Sequence, residues 1–152
     1  MKEIDGDLVE LALQGRFDII IHGCNCFCTM GAGIARQIKE TFPDAYEADK
    51  ETKYGDRMKL GTFSTGVGRN NLLILNAYTQ FMYGGTCDVD YDAVKKVFHT
   101  VFRFYAKKNL TFGIPRIGAG LAGGTWDIIK SIIEKEMKDE DITLVNYKKE
   151  TL

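Results

Sequence analysis

At 152 residues the chain has the length of one domain and too little for two, and 45% hydrophobic with 27% charged residues is a globular composition, which excludes a disordered chain and a disulfide-stapled miniprotein. Twenty basic residues against twenty-one acidic ones leave a net charge of -1, so no global field draws the chain onto nucleic acid or anionic lipid, and any anion must be held locally. The charged start MKEIDGDLVE and the lack of an apolar run near the roughly 20 residues of a membrane span predict a soluble, cytoplasmic protein.

In chain order, Phe17 to Ile21 is a short β-branched run that predicts a strand buried on both faces, followed by a glycine-bearing loop. Ile34, Ala35, Ile38 and Phe42 recur at helical spacing from Gly33 onward, and Pro43 divides that helix from a second one through Tyr46 and Ala48. Lys59 to Thr65 and Leu72 to Tyr78 read as an antiparallel pair of strands. Tyr91, Val94, Val97, Phe98, Val101, Phe102 and Tyr105 form one apolar stripe, which predicts a helix over Asp90 to Lys107. Thr111 to Ile114 returns as a strand, Thr125 caps a helix carrying Trp126, Ile128, Ile129, Ile132, Ile133 and Met137, and Ile142 to Tyr147 is the last strand. The alternation predicts an α/β fold, a three-layer α/β/α sandwich with a mixed, mostly parallel central sheet, built as a single domain over residues 1–152.

Sixteen glycines against two prolines are concentrated in a few places. TMGAGIA and RIGAGLAGG each follow an apolar strand and precede a helix, where bare backbone amides and a helix N-terminus can meet an anion. Two such loops at one end of a sheet suit a diphosphate. Neither is a P-loop, and Arg36 stands where a dinucleotide fingerprint needs its third glycine.

His22, Cys24, Cys26 and Cys28 would share one face of an extended chain, but ligands spread over roughly 13 Å of strand with no second knuckle do not make a structural zinc site. No arginine stands six residues after any of these cysteines, which excludes a cysteine-phosphatase loop. Reduced thiols are expected, with neither metal nor cofactor. By position alone His22 is a packed strand-end histidine, His99 a helix-surface residue, and Asp5, Asp7, Asp88, Asp90 and Asp127 loop or cap carboxylates.

IDGDLVE, IIIHGCNCFCTMGAGIARQI, FGIPRIGAGLAGGTWDII and the terminal LVNYK, in that order along nearly the whole chain, resemble the macro domain family of ADP-ribose-binding modules. HGCN followed by GAGIA, and PRIGAGL with a tryptophan five residues beyond the leucine, are most similar to the branch of the yeast-type ADP-ribose-1''-phosphate phosphatase and the terminal ADP-ribose protein glycohydrolase. The resemblance implies that Asp7, followed by Leu8, accepts a hydrogen bond from the adenine amino group and that Tyr147 stacks on the base. It places Asn25 near the distal ribose, Gly31, Ala32, Gly33 and Ile34 beside that ribose and the diphosphate, and Gly118, Ala119, Gly120, Leu121, Ala122 and Gly123 around the diphosphate.

For chemistry, the resemblance implies hydrolysis of a group at the distal ribose, most of all the phosphate of ADP-ribose-1''-phosphate. The glycine-loop amides and Asn25 then hold the distal ribose and its phosphate, His22 orients or deprotonates water or protonates the leaving oxygen, and Asp90 is a further candidate base. The glycohydrolase branch has a lysine after the fourth strand and an aspartate just after the GL of the second loop; Thr79-Gln80 and Ala122 stand there in this chain. Two alternatives follow: a module that binds ADP-ribose without turnover, and a hydrolase of ADP-ribosyl or acetyl esters. The expected partners are ADP-ribose or its 1''-phosphate and ADP-ribosylated proteins, without nucleic acid or membrane, on a monomer.

Overall fold

The computed structural model describes residues 1–85 and 88–148. Six strands form one sheet: β1 (Lys2–Gly6), β2 (Ile19–Cys24), β3 (Phe63–Val67), β4 (Leu73–Tyr78), β5 (Thr111–Ile114) and β6 (Asp141–Tyr147). Their spatial order is β1-β6-β5-β2-β4-β3, all parallel except β3, which runs antiparallel to β4. Helices α1 (Leu8–Leu13), α2 (Gly33–Thr41) and α3 (Pro43–Lys50) cover one face, and α4 (Tyr91–Tyr105) and α5 (Trp126–Glu136) the other. The expected three-layer sandwich with a mixed, mostly parallel sheet is the architecture found.

Alternation along the central strands feeds two cores. Ile19 and Ile21 of β2, with Leu75, Phe112, Ile114 and Leu144, pack against Val94, Phe98 and Val101 of α4 and Ile129 and Ile133 of α5. Ile20, Cys24, Ile74 and Tyr78 face Ile38, Phe42 and Ala45 on the other side. A parallel strand covered by helices on both faces buries both sets of side chains, hence the unbroken run Ile19-Ile20-Ile21. Gly66 of β3 lets α3 come close, because a Cβ there would lie 2.5 Å from the Ala45 Cα.

The elements differ from the expectation in detail. β1 and α1 carry no sequence signal: Lys2 to Gly6 is a charged edge strand with little buried surface, and α1 is six residues long. β2 begins two residues later than expected and runs on through His22, Gly23 and Cys24. Arg57 to Lys59 turns in a short 3-10 helix, so β3 begins only at Phe63. Thr125 occupies the N-cap position of α5 without a side-chain cap, its amide donating to the Tyr91 hydroxyl at 3.0 Å.

From β2 the next parallel neighbours lie on opposite sides, β4 on one and β5 on the other. In an open parallel sheet such a switch leaves a crevice beyond the carboxyl ends of the strands.

Candidate functional site

That crevice is a long cleft with two lobes. The first, of about 930 Å³, is lined by Asp5 and Leu8, by Gly33, Ile34, Arg36, Gln37 and Glu40 of α2, by Pro115 and Arg116 after β5, and by Val145, Asn146 and Tyr147 of β6. The second, of about 580 Å³, runs from Gly23, Cys24 and Asn25 through Thr29 to Ala35 and on to Asp49, Gln80 and Tyr83, and is closed by Pro115 to Gly118 and Gly120 to Ala122. Gly33, Ile34, Pro115 and Arg116 belong to both walls, so the lobes form one groove. Both volumes are in the range of small-molecule sites.

The first glycine loop leads straight into α2. Gly33, the first residue of that helix, has φ +58°, and the N-cap Ala32 supplies no side-chain bond, so the opening amides of α2 are free to face the groove. In the second loop Gly118 has φ +73° and Gly123 φ +71°, conformations that favour glycine. Gly124 donates to the Gly118 carbonyl at 2.7 Å and Gly123 to the Gly120 carbonyl at 3.1 Å, folding the loop on itself. Among the described residues, the amides of Gly120, Leu121 and Ala122 have no protein acceptor.

Gly31 and Gly120 need neither positive φ nor a close approach within the protein. A Cβ at Gly120 would meet nothing within 4 Å, and one at Gly31 would touch Thr29 only at ordinary distance. Both residues line the second lobe. A residue left bare toward open space admits another molecule to the backbone.

At the first lobe, Asp7 caps α1 by accepting from the Glu10 amide at 3.1 Å, and Gln37 Nε2 lies 3.0 Å from each of its carboxylate oxygens. The carboxylate is thus held behind Gln37, which itself lines the lobe. Tyr147 is 68% exposed at the end of β6, with Leu8 on the same wall. Arg116, at the junction of the lobes, donates from Nε to Asn146 Oδ1 at 2.8 Å and lies 3.8 Å from Glu3.

At the far lobe Asn25 accepts from the Phe27 amide at 2.8 Å and donates to Thr29 Oγ1 at 2.7 Å, which fixes the turn after β2. Asp49, from the last turn of α3, is 1% exposed and reaches the lobe floor. Its Oδ1 accepts from the Tyr78 hydroxyl at 2.7 Å, and burial pushes its carboxyl above the ordinary aspartate range. Lys59 is buried behind the wall, donating to the Cys26 carbonyl at 3.0 Å. Burial also raises the Cys24 and Cys26 thiols, which keeps both protonated and poorly nucleophilic.

The structure brings Leu8, Asn25, Gly31, Ala32, Gly33, Ile34, Gly118, Gly120, Leu121, Ala122 and Tyr147 onto the groove walls. Ala119 packs against the α4/α5 core instead, and neither lobe includes Gly123, which bonds back to Gly120, or Asp7, which is bound by Gln37. Two expected positions need correction. His22 points from β2 to the α3 face with no exposed surface, and neither lobe includes it; Nε2 lies 2.7 Å from Asn76 Oδ1, and burial lowers its pKa to about 4. Strand alternation sends residue 22 into the layer, and the groove opens only at the strand end. Asp90 is the N-cap of α4, its Oδ1 accepting from the Ala93 amide at 3.0 Å, and it lines neither lobe. The extended zinc face of residues 22 to 28 is absent because the chain turns after Cys24, reaching φ +54° at Cys28; Cys24, Cys26 and Cys28 are free thiols, and Cys87 lies outside the described residues.

Arg116, Gln37, Gln80 and Asp49 line the groove without having been singled out in the sequence. Arg116 adjoins the second glycine loop and Gln37 falls one turn into α2, so both carried a positional signal. Asp49, in the charged run Tyr46 to Lys50, carried none.

No protein-family model matches the chain. It is 38% identical to the uncharacterized 17.5 kDa protein in the tk-vs intergenic region of Enterobacteria phage T4, over 97% of this chain and 96% of the relative. A 46-residue segment, 30% of this chain and 21% of the relative, is 46% identical to an ADP-ribose 1''-phosphate phosphatase of Aspergillus oryzae. Among solved structures, a protein of unknown function from Bacteroides thetaiotaomicron superposes with TM-score 0.80 at 26% identity, covering 95% of this chain and 96% of that one. The macrodomain of Thermus aquaticus DarG matches with TM-score 0.73 at 19% identity, over 97% of each chain. Thermosipho africanus DarTG, solved in complex with ADP-ribose, matches with TM-score 0.72 at 16% identity, covering all of this chain (100%) and 43% of that one. The chain thus belongs to one family with the phage protein, along nearly the whole length of both, and it has the macro domain fold of these structures.

Proposed function

We propose that the chain binds ADP-ribose along the groove and hydrolyses a group attached to the distal ribose, with the phosphate of ADP-ribose-1''-phosphate as the leading substrate. The observation that carries the binding is the pair of bare positions Gly31 and Gly120, one on each glycine loop, both lining the second lobe without any internal need for glycine. Free amides at the start of α2 and in the Gly120–Ala122 turn match the charge of a diphosphate, and Arg116 adds a cation at the junction. The first lobe, with Leu8 and Tyr147 on its walls and the Asp7–Gln37 pair beside them, suits a purine, and the second suits a ribose and its substituent.

Two similarities support the reading. The Thermosipho protein, which shares this fold over 43% of its chain, was solved in complex with ADP-ribose, and the Aspergillus segment comes from an ADP-ribose 1''-phosphate phosphatase. A second reading, binding without turnover, is favoured by the placement of His22 and Asp90, which leaves Asn25 as the one member of the expected catalytic group on the groove wall.

Calorimetric titration with ADP-ribose, followed by phosphate release from ADP-ribose-1''-phosphate in the same samples, separates these readings. Micromolar binding with release supports the phosphatase, and binding without release supports the second reading. Failure to bind ADP-ribose overturns both.

A further inference from the structure

The floor of the second lobe holds a polar group that the fold does not satisfy. Asp49 Oδ2 is buried and, among the described residues, has no hydrogen-bond partner, although its twin Oδ1 is held by Tyr78. A buried carboxylate oxygen left without a donor costs stability and calls for a reason. The nearest cation does not supply one. Lys59 Nζ donates to the Cys26 carbonyl at 3.0 Å and contacts Cys28 Sγ at 3.6 Å, and it sits over the Tyr78 ring, 4.6 Å from its centroid.

The carboxyl is also held firmly in place. The Asp49 carbonyl accepts from Thr52 Oγ1 at 2.6 Å and from the Cys28 thiol at 3.2 Å, which ties the end of α3 to the loop after β2. Tyr78, whose hydroxyl also meets Ser64 Oγ at 2.8 Å, fixes the side chain. Asp49 thus carries one unpartnered acceptor oxygen, in a set position just beneath the lining of a lobe whose other lining side chains are uncharged apart from Arg116.

We propose that Asp49 is the specificity-determining residue of the distal end. Its Oδ2 accepts a hydrogen bond from a hydroxyl of the ligand's terminal sugar, and its acidity weighs against ligands that put a phosphate chain in place of that sugar. The assignment rests on the proposed binding of ADP-ribose and adds which protein group tells a terminal sugar from a bare or extended phosphate chain. A sugar hydroxyl donates where Asp49 accepts. A phosphate standing in place of the sugar offers only negative oxygens at neutral pH and meets a group of like charge.

The test measures ADP-ribose, ADP and ATP by calorimetry at pH 7.5 or so on the wild type, Asp49→Asn and Asp49→Ala, with thermal unfolding of each. The wild type is expected to bind ADP-ribose about ten-fold or more tighter than ADP, the effect of one hydrogen bond to a charged group, and to gain nothing from the third phosphate of ATP. In both variants the preference for ADP-ribose over ADP shrinks several-fold, ADP affinity stays unchanged, and ATP gains on ADP. Unchanged preferences in folded variants, or tighter binding of ATP than of ADP-ribose by the wild type, overturn the role of Asp49 while leaving ADP-ribose binding intact. Failure of the wild type to bind either ADP or ADP-ribose overturns the underlying reading and this assignment with it. Should neither variant fold, the three wild-type affinities alone decide.

Discussion

His22 Nε2 lies 2.7 Å from Asn76 Oδ1, and the direction of that bond is set by the amide's other end. Asn76 Nδ2 donates to the Ala45 carbonyl at 2.8 Å and to Ser64 Oγ at 3.0 Å, so Oδ1 is the acceptor and His22 carries its proton on Nε2. The neutral ring is thus built into a network joining β2, β4 and α3.

Stability should fall in acid on account of this histidine. Its folded pKa of about 4 lies below the unfolded value of 6.5, so the unfolded chain takes up the proton first. The contribution is complete above pH 6.5, is lost as pH falls toward 4, and changes no further below; at 1.36 kcal/mol for each pH unit it amounts to roughly 3 kcal/mol. Asp49 acts with the opposite sign: its carboxyl is raised by burial, so its cost at neutral pH is relieved on acidification. Urea unfolding from pH 4 to 8 on wild type and His22→Gln isolates the histidine as the difference between the two curves. Parallel curves would refute it. The same variant is expected to keep its ADP-ribose affinity, since His22 does not line the groove.

Gly118 and Gly120 are two residues apart and should answer substitution in opposite ways. A Cβ on Gly118 would come within 2.6 Å of Val89 Cγ2 at φ +73°, so Gly118→Ala is expected to cost about 2 kcal/mol of stability. Gly120→Ala finds open space, so the melting temperature should hold. Its methyl group then stands in the groove, and ADP-ribose affinity should fall about ten-fold, which is one contact of roughly 1.4 kcal/mol. Thermal unfolding and calorimetry on both variants check the contrast, and a Gly120→Ala protein with native affinity would refute the close approach of ligand to this loop.

The Asp7–Gln37 pair gives a third outcome. Asp7→Ala removes both the α1 cap and the carboxylate, so it is expected to lose about 1 kcal/mol of stability together with ADP-ribose affinity. Gln37→Ala leaves the cap and removes the amide that competes for the carboxylate, so adenine nucleotides should bind at least as tightly as to the wild type. Weaker binding by Gln37→Ala would show instead that the amide itself touches the ligand.

Much of this was legible in the sequence because burial writes a strong pattern. The Ile19–Ile21 run, the Val94–Tyr105 stripe and the Ile129–Ile133 pair each name a core face, and the glycine loops mark the ends of β2 and β5. Lys2–Gly6 escaped because an edge strand with exposed charged residues buries too little to show a period. Position alone makes His22 a packed strand-end histidine, as the structure has it; its place at the ligand is implied only by resemblance, and spacing does not say which face of the sheet opens to a groove. Asp49 was silent for a related reason: one aspartate in a charged helix looks like solvent-facing surface until packing turns it inward. The Cys26 carbonyl and the Cys28 thiol likewise gain a role only when the loop folds back over Lys59, which meets both.

Tyr147 is the residue whose removal should touch ligand and nothing else. Its side chain is 68% exposed at the end of β6, on the wall of the first lobe, and it follows Asn146, which is anchored to Arg116 and Glu3. A ring held on rigid backbone but open to solvent has little to lose in folding and a full face to offer to a base. Stacking on such a ring is worth roughly 1–3 kcal/mol, so Tyr147→Ala should weaken ADP-ribose binding about ten-fold or more while the melting temperature stays near that of the wild type. Tyr147→Phe keeps the face and should bind like the wild type. Ribose 5-phosphate, which lacks the base, should bind all three proteins alike. A loss of affinity in Tyr147→Phe equal to that in Tyr147→Ala would assign the effect to the hydroxyl and refute stacking.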